Sequence, residues 1–96
     1  IKTEILKHLS QGEIDIKQIA EALNMSARTL QYRLNEKNLN FKTLVTDIRR
    51  ELALLLLDNT ELSLLDVGFL IGFSEQSSFN RAFKRWTGTS PRAYMR

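Results

Sequence analysis

The feature that most constrains this chain is that it repeats itself. Ile16, Ile19, Ala20, Leu23, Asn24, Met25 and Ser26 recur 48 positions later as Leu64, Val67, Gly68, Ile71, Gly72, Phe73 and Ser74. After one additional residue, Leu30 and Leu34 recur as Phe79 and Phe83 at an offset of 49. Each copy has apolar residues at helical spacing, a short break, and apolar residues at helical spacing again. Both copies must bury the same stripe, so the fold has to provide two similar small cores.

The conserved chemistry of each copy has a physical reason. A small residue (Ala20, Gly68) in the first helix lets the second cross it closely. The turn needs a residue able to adopt positive φ, which Asn24 and Gly72 both can. An apolar residue follows (Met25, Phe73) to fill the angle between the helices, and Ser26 or Ser74 is then placed to cap the second helix. This is the helix-turn-helix pattern, whose second helix enters the DNA major groove. One such pattern is a weak signal, but two in register in 96 residues is a strong one.

The rest of the chain also reads as helix, because glycine is scarce and proline occurs once. Ile5, Leu6 and Leu9 form the face of a first helix ending near Gly12. Asp15 with Gln18 resembles a capping box for the next helix, and a first recognition helix is expected from Ala27 to Asn38. A longer helix from Phe41 to Leu57 would run about 25 Å at ~1.5 Å per residue, with most of its circumference buried over Leu52–Leu57. Ser63 with Asp66 forms a further capping box, a second recognition helix is expected from Glu75 to Thr87, and Ser90-Pro91 opens a last short helix. Phe41, Phe73, Phe79, Phe83 and Trp86 are expected in the core. The expected fold is all-α: seven helices in two helix-turn-helix subdomains, residues 1–40 and 58–96, joined by the connecting helix 41–57.

Composition excludes several classes of chemistry. There is no cysteine and only one histidine, His8, so disulfides and thiolate sites are excluded and a zinc site is disfavoured. No Gly-rich phosphate loop or paired catalytic carboxylates stand out, so neither enzymatic activity nor a cofactor is expected. The longest apolar run, Leu52–Leu57, is far short of the ~20 residues of a membrane span. The absence of a leader-like start points to the cytoplasm. The net charge of +3 is modest, but its distribution is informative. Residues 1–25 carry net −1, 26–50 net +4, 51–73 net −4 and 74–96 net +4. The two basic blocks fall on the two second helices and the segments after them, as expected for two contacts with one polyanion.

Asp66 to Arg96, "DVGFLIGFSEQSSFNRAFKRWTGTSPRAYMR", resembles the AraC/XylS-type bacterial transcription regulators. The resemblance is carried by Gly72-Phe73, Ser78-Phe79, Arg81, Phe83-Lys84, Gly88 and Ser90-Pro91 through Tyr94. Ile19-Ala20, Met25-Ser26, Leu30-Gln31, Leu34, Phe41, Arg49, Ala53, Leu56 and Leu57 extend it over essentially the whole chain. It implies homeodomain-like tandem units whose recognition helices enter successive major-groove segments of promoter DNA, most often to activate transcription. It also implies contact with RNA polymerase. A separate domain for effector sensing and dimerisation, commonly N-terminal, is expected to be missing before Ile1.

Arg28, Thr29, Gln31 and Tyr32 on the first recognition helix, and Gln76, Ser77, Asn80 and Arg81 on the second, are the expected base contacts. Arginine suits guanine O6/N7 and glutamine suits adenine N6/N7. Tyr32 suits a thymine methyl or a phosphate, and for Arg81 base reading and generic phosphate contact both stay open. Ser26, Lys37, Lys42, Ser74, Lys84, Arg85 and Thr87 are candidate phosphate contacts. Arg49 and Arg50 are expected to pair with acids on the connecting helix. The rival to DNA binding is a helical protein-interaction module, using the acidic block 51–73 and the Leu52–Leu57 helix to contact RNA polymerase or another regulator.

Overall fold

A computed structural model of the chain describes residues 1–59 and 61–95; Arg96, part of the second basic block, lies outside them. Among the described residues the regular structure is helical: α1 (Lys2–His8), a 3₁₀ turn (Leu9–Gln11), α2 (Ile16–Ala22), α3 (Ala27–Glu36), α4 (Phe41–Leu57), α5 (Leu64–Leu70), α6 (Gln76–Thr87) and α7 (Pro91–Met95). The molecule is elongated, 43 × 22 × 20 Å, because its apolar residues form two clusters placed one after the other.

The first cluster joins Ile5 and Leu9 to Ile19 and Ala20 of α2, Leu30 and Leu34 of α3, and Val45 and Ile48 of α4. The second joins Ala53 and Leu57 of α4 to Val67, Ile71, Phe79 and Phe83. The first is aliphatic at its centre. The second is aromatic, with ring centroids 5.8 Å apart for Phe73–Phe79, 5.9 Å for Phe79–Phe83 and 5.7 Å for Phe83–Tyr94.

Helix α4 belongs to both clusters, and Leu52 packs against each. At 3.6 residues per turn, Ala53 and Leu57 lie about 130° around the helix from Val45 and Ile48. The connecting helix therefore presents one face to the first unit and another to the second. Leu55 continues the Ile48 side past the end of the first cluster and is 67% exposed. The rest of the run, Leu52, Ala53, Leu54, Leu56 and Leu57, is buried or packed against a core, as expected for most of the circumference; an unbroken leucine run here serves two partners on different sides. Leu6 is likewise 40% exposed, since the short α1 buries only the Ile5/Leu9 side.

Most helix starts follow the capping chemistry expected of them. Ser26 Oγ accepts from the Thr29 amide at 3.1 Å, and Asn40 Oδ1 accepts from the Thr43 amide at 3.2 Å. Ser63 and Asp66 form a complete reciprocal box, with amide-to-side-chain distances of 3.0 and 3.2 Å. Asp15 caps α2 through the Lys17 amide at 3.1 Å, but no box is completed there, because the Gln18 amide group pairs with Gln11. Ser74 does not cap α6. The position belongs to Glu75, which makes no side-chain capping bond. The reason is the residue inserted in the second copy: an offset of 49 carries Ser26 onto Glu75, leaving Ser74 one place outside the cap.

Candidate nucleic-acid interface

Helix α3 turns Leu30 and Leu34 into the first cluster and leaves Arg28, Thr29, Tyr32 and Arg33 exposed. With about 100° between successive residues, Arg28 and Tyr32 lie opposite the buried stripe, with Gln31 and Asn35 on one flank. Tyr32 is 65% exposed, so its ring is not packed into the core. Gln31, half-buried, donates from Nε2 to Asn35 Oδ1 at 3.1 Å. Thr29 is held by its bond from Ser26 Oγ at 2.9 Å.

Helix α6 repeats this arrangement. Phe79, Ala82 and Phe83 are buried, while Ser77, Asn80, Arg81, Lys84 and Arg85 are exposed. At the offset of 49, Arg28 falls on Ser77, Gln31 on Asn80 and Tyr32 on Arg81. The two helices therefore present the same three positions to the outside with different chemistry. Gln76 donates to Asn80 Oδ1 at 3.0 Å, and its own Oε1 is buried without a partner. These pairs hold amide groups in place along one flank of each helix.

A matching groove lies beside each outward face. In the first unit, Gln31 faces a groove bordered by the start of α2 at Ile16 and the start of α4 at Asn40, Phe41 and Lys42. In the second, Gln76 and Asn80 face a groove bordered by the start of α5 at Leu64 and Leu65 and the start of α7 at Ser90, Pro91 and Arg92. Arg92, exposed at this edge, is absent from the candidates named from sequence. The repeat contains the signal: an offset of 49 carries Lys42 onto Pro91, its immediate neighbour.

The structure does not bring every candidate phosphate contact to these grooves. Ser26, Lys42, Ser74, Lys84 and Arg85 are exposed, with Lys84 falling around α6 between the directions of Asn80 and Ser77. Lys37 ends α3 on the opposite flank from Gln31, beside Ile1, Arg33 and Leu39. Thr87 is half-buried. Its hydroxyl lies within hydrogen-bonding distance of the Phe83 and Thr89 carbonyls, at 3.0 and 3.1 Å, and accepts from the Thr89 amide. That hydroxyl closes the end of α6, which sets Thr87 aside as a phosphate contact.

Of the arginines on α4, Arg50 pairs with Asp47 at 3.7 Å, an exposed contact of small energetic weight. Arg49 departs from expectation: its Nη2 donates to the Gly12 carbonyl, not to an acid of its own helix. Burial lowers its pKa below the ordinary arginine value, and the charge of Glu13 partly opposes this. Among the described residues no cluster of His, Cys, Asp or Glu is arranged to hold a metal ion. No helix among them is long and apolar enough to cross a membrane.

Residues 19–96 match a family model described as a helix-turn-helix domain. An ornithine utilization regulator from Pseudomonas aeruginosa is 38% identical over 80 residues, covering 83% of this chain and 24% of the regulator. The transcriptional activator PerA of Escherichia coli O127:H6 is 31% identical over 94 residues, covering 98% of this chain and 32% of PerA. The chain thus spans about a quarter to a third of the length of these two relatives. Among solved structures, the DNA-binding domain of the transcription factor AdpA, crystallised with a target DNA, superposes with a TM-score of 0.73 at 28% identity, covering 98% of this chain and 88% of that one.

Proposed function

Because the chain belongs to the AraC-type helix-turn-helix family, we propose that it binds double-stranded promoter DNA sequence-specifically and regulates transcription, most often by activation. The observation that carries this reading is the pair of outward polar faces, Arg28/Gln31/Tyr32 and Ser77/Asn80/Arg81, held at equivalent positions on two copies of one motif. Their side chains read base edges in two successive major-groove segments. Thr29 and Gln76 add contacts at the helix starts. Ser26, Lys42, Ser74, Lys84, Arg85 and Arg92 neutralise or bond phosphates beside them, and Lys37 reaches the backbone at the far end of α3. Residues 1–40 and 58–96 act as the two reading units, and 41–57 as the strut between them. The rest of a longer regulator supplies effector response and dimerisation. The target DNA held by the AdpA domain supports this reading, as does the naming of PerA as an activator.

An activator of this kind also touches RNA polymerase, and the acidic stretch 51–73, which carries four acidic and no basic residues, is the side proposed for it. A helical adaptor that reads no DNA is the competing reading. Titrating a random duplex at increasing salt separates the two. A DNA reader binds at low salt and loses affinity linearly on a log–log plot, by about 0.9 in slope per phosphate neutralised. No duplex binding at low salt, with salt-insensitive protein association, overturns the proposal.

A further inference from the structure

The two copies of the motif differ in what their turns touch. In the first, Asn24 takes the positive-φ position (φ 59°) with its side chain exposed to solvent. In the second, Gly72 takes it (φ 108°) and lies against the loop that follows α1 of the first unit. A Cβ on Gly72 would meet the Leu9 carbonyl oxygen well inside contact distance and would lie 3.4 Å from Gly12 Cα. It would also lie 3.3 Å from Arg49 Nη2, the atom that donates to the Gly12 carbonyl. Glycine is therefore needed at this turn for backbone-to-backbone contact as well as for its φ.

Three segments meet here: the 3₁₀ turn and Gly12 of the first unit, the turn of the second, and the guanidinium of the helix that joins them. Helix α5 also touches the Leu9–Gln11 turn directly. Arg49 is half-buried, and its Nε is buried without a hydrogen-bond partner. A charged group carrying that desolvation cost is held in place by what it joins.

We propose that Arg49 is a positioning residue which, with the Gly12–Gly72 contact, locks the two helix-turn-helix units into one rigid body and so fixes the separation of the two recognition helices before DNA is met. The proposal rests on the DNA-binding reading for its consequence. A fixed separation admits one spacing between the two DNA segments and makes the duplex, rather than the protein, deform when the spacing is wrong. It also raises the effective concentration of the second helix once the first is bound.

Two measurements test it. The chain has no cysteine, so spin labels can be attached at Glu36→Cys on α3 and Ala93→Cys on α7, both exposed sites. Pulsed dipolar spectroscopy of this pair without DNA should give one narrow distance distribution, and a broad one overturns the proposal whatever the variants do. Arg49→Met should broaden that distribution while leaving helicity unchanged. Gly72→Asn, which installs the residue the first copy uses at its turn, should broaden or shift it. On DNA, Arg49→Met should lose about fivefold or more for the two-segment site, the low end of a typical coupling between sites. It should keep its affinity for a single segment and tolerate inserted or deleted base pairs that wild type rejects. A folded Arg49→Met with unchanged distance width and spacing profile, lower only in melting temperature, contradicts the proposal. Failure of every chain to bind duplex refutes the DNA-binding reading and leaves the distance measurement standing.

Discussion

Gly68 lies directly against the ring of Phe79: a methyl group on its Cα would be 3.1 Å from Phe79 Cδ2. Both residues are buried, Phe79 completely, and it is hemmed in by Phe73 and Phe83. The first copy uses Ala20 and Leu30 at the equivalent positions, so the second exchanges a methyl on one helix for a larger ring on the other. Gly68→Ala should therefore destabilise the chain by about 1–2 kcal/mol, overpacking exceeding the helix-propensity gain. Thermal unfolding checks this. Adding Phe79→Leu should couple favourably to Gly68→Ala in a double-mutant cycle, and strict additivity would mean the two side chains do not share the space.

Ser63 before α5 and Ser74 before α6 should behave differently. Ser63 holds the Asp66 amide at 3.0 Å, so Ser63→Ala should cost about 1 kcal/mol. Ser74 caps nothing, and Ser74→Ala should fall within about 0.5 kcal/mol of wild type. Denaturant melts of the two variants decide the point. Equal losses would place the α6 cap at Ser74 after all.

Arg28 projects from the outward face of α3 with no ion-pair partner among the described residues. Arg28→Ala should relax base preference at one position of the site, at a cost of about 1–3 kcal/mol on the preferred sequence. Competition binding against single-base variants of the site measures this. An unchanged preference at every position would remove Arg28 from base reading.

Lys84 should give the opposite signature. As a phosphate contact, Lys84→Ala weakens all sequences alike and makes the salt dependence shallower by about 0.9 in log–log slope. A change in sequence preference with the slope intact would instead assign Lys84 to a base, alongside Asn80 and Ser77 whose directions flank it around α6.

Much of this was legible in the sequence because a repeat with a fixed offset transfers each assignment from one copy to the other. The buried stripes of α3 and α6, the Ser63–Asp66 box and the outward positions of both recognition helices all follow from local periodicity and capping. What was not legible depends on the offset changing or on tertiary contact. Ser74 was misread because the inserted residue moves the cap to Glu75. Which residue of the Leu52–Leu57 run stays exposed was not legible, because a connecting helix presents different faces to two cores, which a single stripe cannot show. Arg49 was misread because its partner, the Gly12 carbonyl, lies 37 residues away and is a backbone atom without a sequence signal. Arg92 could have been found by extending the repeat as far as α7.

Two recognition helices, held by one strut, are proposed to read two segments of a duplex. Selecting bound sequences from a random double-stranded pool tests this most directly. The expected result is an enriched site with two informative blocks centred about 10 base pairs apart, the block under α3 losing information when Arg28 is replaced. Absence of enrichment over the starting pool, or a single block unaffected by changes on either helix, would contradict it.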